Sequence, residues 1–154
     1  LIPSLSPDCP PHLVAAEWIV RCFCVGESVS VPLLRATARA LRHPLLRGIV
    51  RLIARDEARH GSFGWTYLDW FEPHLDDAAR AHLAGVARSA LLPLARSLAA
   101  IDGARGPTRE EALAFGWLHP HDYAPLARAA LIDHAVKPLR ARGIDPGADA
   151  DFLA

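Results

Sequence analysis

Residues 45–71 read LLRGIVRLIARDEARHGSFGWTYLDWF, and this stretch decides the fold of the chain. Its spacing predicts one long helix, on which Glu57 shares a face with mostly apolar or small residues. The members of that face are Leu46, Val50, Ile53, His60, Gly61, Gly64 and Leu68. A buried carboxylate without a partner costs several kcal/mol, so Glu57 is expected to have a strong partner.

A second helical pattern precedes this one, over residues 12–41, and ends before Pro44. Glu27 lies in the middle of its apolar stripe, which is formed by Ala16, Val20, Phe23, Cys24, Val31, Leu34 and Ala38. If the two helices pack antiparallel, the carboxylates of Glu27 and Glu57 lie within roughly 3 Å of the same height. The pair therefore predicts a polar layer at mid-bundle, to which His60 also contributes.

Two other residues of the first helix carry separate predictions. Glu17 lies off the centre of the stripe, with Arg21 four residues later, and predicts a surface ion pair. Pro32 removes a backbone hydrogen bond, and we expect a kink or bulge there.

Proline, glycine and capping residues divide the rest of the chain into further helices. Asp76 or Asp77 would cap a third helix that runs to about Ile101. Thr108 and Glu111 form a capping-box pattern at the start of a short helix. A last helix would run from Pro120 to Gly143, with a loose tail after it. Strand patterns are lacking, so the predicted fold is all-α.

The length and composition fit one domain of 1–154, with residues 1–11 as a proline-rich lead-in, 12–72 as a helix pair and 73–154 as a helical extension. Half of the chain (51%) is hydrophobic, which excludes intrinsic disorder. Seventeen basic and seventeen acidic residues cancel, and no basic leader or long uninterrupted apolar run is present. We therefore expect no nucleic-acid or membrane partner.

The cysteines indicate an intracellular protein. Cys9, Cys22 and Cys24 are odd in number and lack the spacing of a metal-binding Cys-x-x-Cys pair. Reduced thiols are typical of the cytoplasm, which is the expected location.

The segment Asp56-Glu57-Ala58-Arg59-His60, with a lone Glu27 about thirty residues upstream, resembles the signature of ferritin-like di-iron carboxylate proteins. These include bacterial multicomponent monooxygenases, ribonucleotide reductase small subunits and related N-oxygenases. The resemblance covers about residues 14–72 and implies a ferritin-like bundle. It also implies a non-haem di-iron (or Mn/Fe) oxidoreductase that uses dioxygen on a small organic substrate.

The resemblance assigns a role to each residue of the motif. Glu27 would be a terminal metal ligand, Glu57 a bridging carboxylate and His60 an imidazole ligand. Asp56 would accept a hydrogen bond from a ligating histidine of the opposite half, and Arg59 would steady that network. Gly61, Gly64 and Tyr67 lie on or near the motif face and could border a pocket for the substrate or dioxygen, although close helix packing is the other reading of the glycines.

A complete site in this superfamily takes two such halves, and this chain offers one. The third helix contains no Glu and only His82 as a potential ligand, and Asp133 and His134 are adjacent rather than three residues apart. The other half would come from a missing N-terminal segment, which the lead-in of residues 1–11 favours, or from another copy of the chain. A redox partner is also expected. The remaining reading is a degenerate site.

Two alternative functions stay open. One is a ferritin-like protein that binds or oxidises iron without an organic substrate. The other is a metal-free helical scaffold or partner subunit, which predicts an arginine pointing at Glu27 and Glu57.

Overall fold

The computed structural model describes residues 10–102 and 106–153, and these residues form helices without any strand. The all-α prediction is confirmed. Helix α1 covers residues 11–40 and consists of α-helical Pro11–Trp18, π-helical Ile19–Glu27 and α-helical Ser28–Ala40. Helix α2 is Pro44–Phe71, followed by a 3₁₀ turn at Glu72–His74. Helix α3 is Asp77–Asp102, and α4 is Arg109–Ala114. Helix α5 covers residues 120–140, with a π-helical turn at Ile132–Val136, and α6 is Ala150–Leu153.

The helix boundaries follow the residues that the sequence analysis identified. Pro44 occupies the first position of α2, where the missing N–H costs nothing. A carboxylate oxygen of Asp76 accepts a hydrogen bond from the Ala79 amide at 2.7 Å, so Asp76 caps α3. Thr108 and Glu111 form the predicted capping box of α4.

Helix α1 is at the centre of the structure. It packs antiparallel against α2, and it also contacts α3 and α5. The fully buried side chains lie where these helices meet, and the largest include Val20, Leu68, Leu83, Leu91, Leu131 and Leu139. Helix α2 makes its most extensive contact with α1.

One described helix is long and apolar enough to cross a membrane by length and composition, namely Asp77–Ile101. A single helix of this kind is weak support for a membrane span. Of its most apolar window 28% is buried inside the structure, and Leu83, Leu91 and Leu98 are among the buried residues of this helix.

The predicted loose tail after Gly143 is wrong for residues 144–152. Ile144 is 0% and Phe152 is 1% exposed, so both belong to the core. The Arg140 guanidinium donates hydrogen bonds to the carboxylates of Asp145 at 3.0 Å and Asp149 at 2.5 Å, and also to the Gly147 carbonyl. The burial of Ile144 and Phe152 and the hydrogen bonds of Arg140 hold this segment in place, although its Asp, Gly and Pro content is typical of a loop.

The predicted surface pair of Glu17 and Arg21 is also wrong. Glu17 is 7% exposed, and its Oε1 lies 2.6 Å from Nε2 of His82 on α3, while Arg21 donates to Ser89. The reason is the π-helix between Glu17 and Glu27, because a π turn holds about one residue more than an α turn. Over nine π-helical residues this difference rotates the side chains of Pro11–Trp18 about the helix axis by roughly half a turn, compared with a regular α-helix.

The predicted distortion at Pro32 is displaced along the helix. Pro32 lies inside α-helical Ser28–Ala40, and the irregular stretch ends at Glu27, before it. Of the predicted lead-in of residues 1–11, residues 1–9, which include Cys9, lie outside the described residues. Pro11 is already the first residue of α1.

Candidate metal centre

The site is built where the π-helix of α1 faces the middle of α2. Glu27 is the last residue of the π-helical stretch. The Ser28 hydroxyl donates to the Phe23 carbonyl at 3.0 Å, and the Ser30 hydroxyl donates to the Glu27 carbonyl at 2.8 Å. These two hydroxyls bond backbone carbonyls around the point where the π-helix changes to an α-helix. π-Helical turns are frequently found at functional sites.

Two glycines of α2 bring the helices together beside this point. A Cβ atom on Gly64 would lie 2.6 Å from Cβ of Phe23, and one on Gly61 would lie 3.3 Å from Oγ of Ser28. Both positions thus serve close packing of α2 on α1. This contact fixes the distance between the helix bearing Glu27 and the helix bearing Glu57.

The three predicted ligands do converge. Glu27, Glu57 and His60 each offer one ligand atom, and these atoms all lie within 4.8 Å of one another. Nδ1 of His60 lies 3.1 Å from Oε2 of Glu57, three residues earlier on α2. The Glu57 side chain is 26% exposed and that of His60 is 54% exposed. The cluster is therefore partly open on the side of His60.

Electrostatics in the cluster favour one shared proton on the two carboxylates. A hydrogen bond with Glu57 raises the pKa of Glu27 to about 7, with partial burial and the Glu57 charge adding to the effect. Hydrogen bonds from Glu27 and His60 lower the pKa of Glu57. Protonated Glu27 thus donates to ionised Glu57, in the way two close carboxylates share a proton.

Glu57 pairs with His60 on the same helix, with the two atoms 3.1 Å apart. Arg59 lies 3.8 Å from Asp56, and the side chains of both are largely exposed, at 74% and 58%. Asp56 and Arg59 therefore point away from α1.

An apolar cavity of about 480 Å³ opens beside the carboxylates. Glu27 and Glu57 form part of its wall, with Leu34, Ile49, Val50 and Ile53 from α1 and α2 around them. The segment between α4 and α5 covers one side through Phe115, Trp117, Leu118 and Tyr123. The cavity thus combines a polar end with walls of aliphatic and aromatic side chains, which is typical of a small-molecule site.

The cavity lies away from the pocket residues that the motif suggested. Gly61 and Gly64 are buried against α1, and Tyr67 stacks on Phe71 at a ring distance of 5.8 Å. None of the three lines the cavity.

Sequence reasoning missed the residues that cover the cavity. It assigned no function to residues 73–154, yet Phe115 and Trp117 reach the cavity from this segment while remaining 79% and 70% exposed. The available signal was a pair of aromatic residues around Gly116, in a segment too short to form a core helix of its own.

The other candidate ligands have partners elsewhere. His82 bonds Glu17, and Asp133 forms an ion pair with Lys137 at 2.6 Å. Within residues 10–102 and 106–153, Glu27, Glu57 and His60 are the one group of three or more metal-binding side chains.

This chain matches no known protein-family model, no curated protein and no solved structure. The assignment of a function therefore rests on the geometry of the site.

Proposed function

We propose that this protein is a ferritin-like non-haem oxidoreductase whose Glu27, Glu57 and His60 form one half of a di-iron (or Mn/Fe) site. The single observation that supports the proposal is the convergence of these three side chains, whose ligand atoms lie within 4.8 Å of one another. The helix order agrees with the proposal, because one Glu comes from α1 and a Glu-x-x-His pair from the adjacent α2.

The donor set suits the proposed metals. Two carboxylates and one imidazole are ligands that iron and manganese accept, whereas a structural zinc site favours thiolates and histidines. Glu57 already pairs with His60, and the two carboxylates share one proton. A divalent cation would add positive charge between the carboxylates, and it would displace that proton.

The bound metals would supply the activation of dioxygen, and the chain supplies placement. Glu27 and Glu57 hold their oxygens at one level because Gly61 and Gly64 set the spacing of α1 and α2. Phe23 packs edge-on against His60, with ring centres 6.3 Å apart, and restricts the imidazole orientation. The proton shared by the carboxylates must leave Glu27 before both can act as ligands.

The cavity favours an organic substrate over iron alone. An enzyme that only stores or oxidises iron needs a polar route to the metal, but this cavity is walled mainly by Leu34, Ile49, Ile53, Phe115 and Trp117. Such a lining binds an apolar molecule next to the carboxylates. The proposed substrate is therefore a small, largely apolar organic compound.

The test measures ferrous iron binding under anaerobic conditions, by calorimetry and by metal content after desalting. We expect Glu57→Ala and His60→Ala to lose binding. Glu110→Ala is the matched control, because Glu110 is an exposed glutamate in α4, outside the cavity wall at Glu27 and Glu57. Glu17 is unsuitable as a control because it is buried and bonded to His82.

Equal loss of iron in the Glu110 variant would mean that the binding is nonspecific. Wild-type protein that takes up no iron or manganese would refute the proposal. Circular dichroism of each variant checks that the helices are retained.

A further inference from the structure

Helix α2 presents a row of large apolar side chains to solvent. Four of them are between 52% and 67% exposed, namely Leu45, Leu52, Phe63 and Trp70. At 100° per residue all four lie within about 40° of Asp56, whereas Gly64 and Gly61, which meet α1, lie about 80° and 140° from it. We call these four residues, with Asp56 and Arg59, the α2 stripe.

The α2 stripe is large for an exposed apolar surface. The four exposed fractions correspond to roughly 550 Å² of surface, about two thirds of the ~800 Å² that each partner buries in a specific complex. Monomeric proteins rarely expose a contiguous apolar patch larger than a few hundred Å².

The α2 stripe is complementary to itself. The midpoint of Pro44–Phe71 lies between Glu57 and Ala58. In an antiparallel pair of α2 helices with a two-fold axis at that midpoint, each residue meets the residue equally far on the other side. Leu45 then meets Trp70 of the partner subunit, and Leu52 meets the partner's Phe63.

The charged residues of the stripe match under the same operation. Asp56 meets Arg59 of the partner subunit, and Arg59 meets the partner's Asp56, so two opposite-charge pairs flank the axis. Both side chains are more than half exposed, at 58% and 74%, and are accessible for such pairing. Apolar contact in the stripe and charge complementarity near its centre are the features of a specific interface.

We propose that the α2 stripe is the interface of a two-fold symmetric dimer of this chain. Glu57 lies about 100° from Asp56 around the helix, on the side of α2 that meets α1, so the candidate metal centre stays within each subunit and the interface forms beside it.

The experiment measures mass by sedimentation equilibrium, once with chelator and once with ferrous iron under anaerobic conditions. We expect the wild type to be a dimer at micromolar concentration. Asp56→Arg places two arginines opposite two arginines, and Arg59→Asp places two aspartates opposite two aspartates. Each variant alone should dimerise about tenfold more weakly or worse.

Mixing the two variants gives the deciding result. In a mixed dimer every arginine at positions 56 and 59 faces an aspartate, so the equimolar mixture should recover the wild-type dimer affinity. A role confined to one chain cannot be rescued by adding a second variant. Failure of the mixture to recover, or a wild-type monomer in both conditions, would overturn the dimer and leave the stripe to a different helical partner.

The two proposals fail separately. A dimer that binds no iron or manganese would refute the proposed function while leaving the interface intact. A monomer that binds iron through Glu57 and His60 would refute the interface and retain the metal-binding half-site.

Discussion

Replacing Gly64 by alanine tests the packing that positions the candidate metal centre. The new Cβ would lie 2.6 Å from Cβ of Phe23 and 3.2 Å from the Cys24 amide nitrogen. Carbon atoms normally approach to about 3.5–4.0 Å, so α2 must move away from α1 by close to 1 Å. Overpacking of this kind costs about 1–3 kcal/mol, while alanine in place of glycine in a helix gains about 1 kcal/mol.

The contact with the backbone and with the stem of Phe23 puts Gly64→Ala at the upper end of that range, for a net loss of about 2 kcal/mol. Gly85→Ala is the matched control, because Gly85 lies within α3 with nothing within 4 Å of its Cβ position. We expect the control to gain up to about 1 kcal/mol. In this size range that corresponds to a melting temperature about 4–8 °C lower for Gly64→Ala and about 2–4 °C higher for Gly85→Ala.

Thermal denaturation followed by circular dichroism measures both variants, and calorimetry with ferrous iron measures the site. Because α2 carries Glu57 and His60, the Gly64 variant should also bind iron more weakly, and the Gly85 variant should bind it normally. A Gly64→Ala protein as stable as Gly85→Ala would refute the close approach of the two helices.

The remaining predictions concern the carboxylate pair, the carboxyl-terminal segment and the cysteines. Since the pKa of Glu27 is raised to about 7, its proton competes with metal near and below that pH, and calorimetry should show affinity falling about fivefold from pH 7 to pH 6 and levelling off above pH 8. Phe152→Ala should lower the free energy of unfolding by about 3 kcal/mol in urea titrations, whereas an unpacked tail would give no change. Burial raises the pKa of the Cys24 thiol to about 12. An alkylating reagent should therefore modify half-buried Cys22 before Cys24 in the native protein. Equal rates of modification at the two thiols would contradict the burial of Cys24.

The sequence predicted the structure best where the period of a regular α-helix continues without interruption, as it does over Pro44–Phe71. The α2 pattern is a regular α-helix without interior proline, so its α1-facing side and the level of Glu57 relative to Glu27 could be predicted from residue spacing alone. The capping residues Asp76 and Thr108 act locally, through hydrogen bonds to amides three residues later, and were also predictable.

The errors arose where the helical period changed or where distant segments met. Glu17 was placed on the wrong face because the π-helix at Ile19–Glu27 has no recognisable sequence signal. The burial of Phe152 depends on contacts with helices distant in sequence. The cavity depends likewise on Phe115 and Trp117 reaching α1 and α2, a tertiary contact that no local pattern encodes.

The burial of Phe152 also determines when the protein can finish folding during its synthesis. Helices α1 and α2 are complete at Phe71, but the core that they share with α3 and α5 closes only after Phe152 has left the ribosome. At about 5–20 residues per second the ribosome needs roughly 4–16 s to add the intervening residues. During that interval the nascent hairpin exposes apolar surface on both sides, and this is the stage at which a chaperone has the most surface to hold.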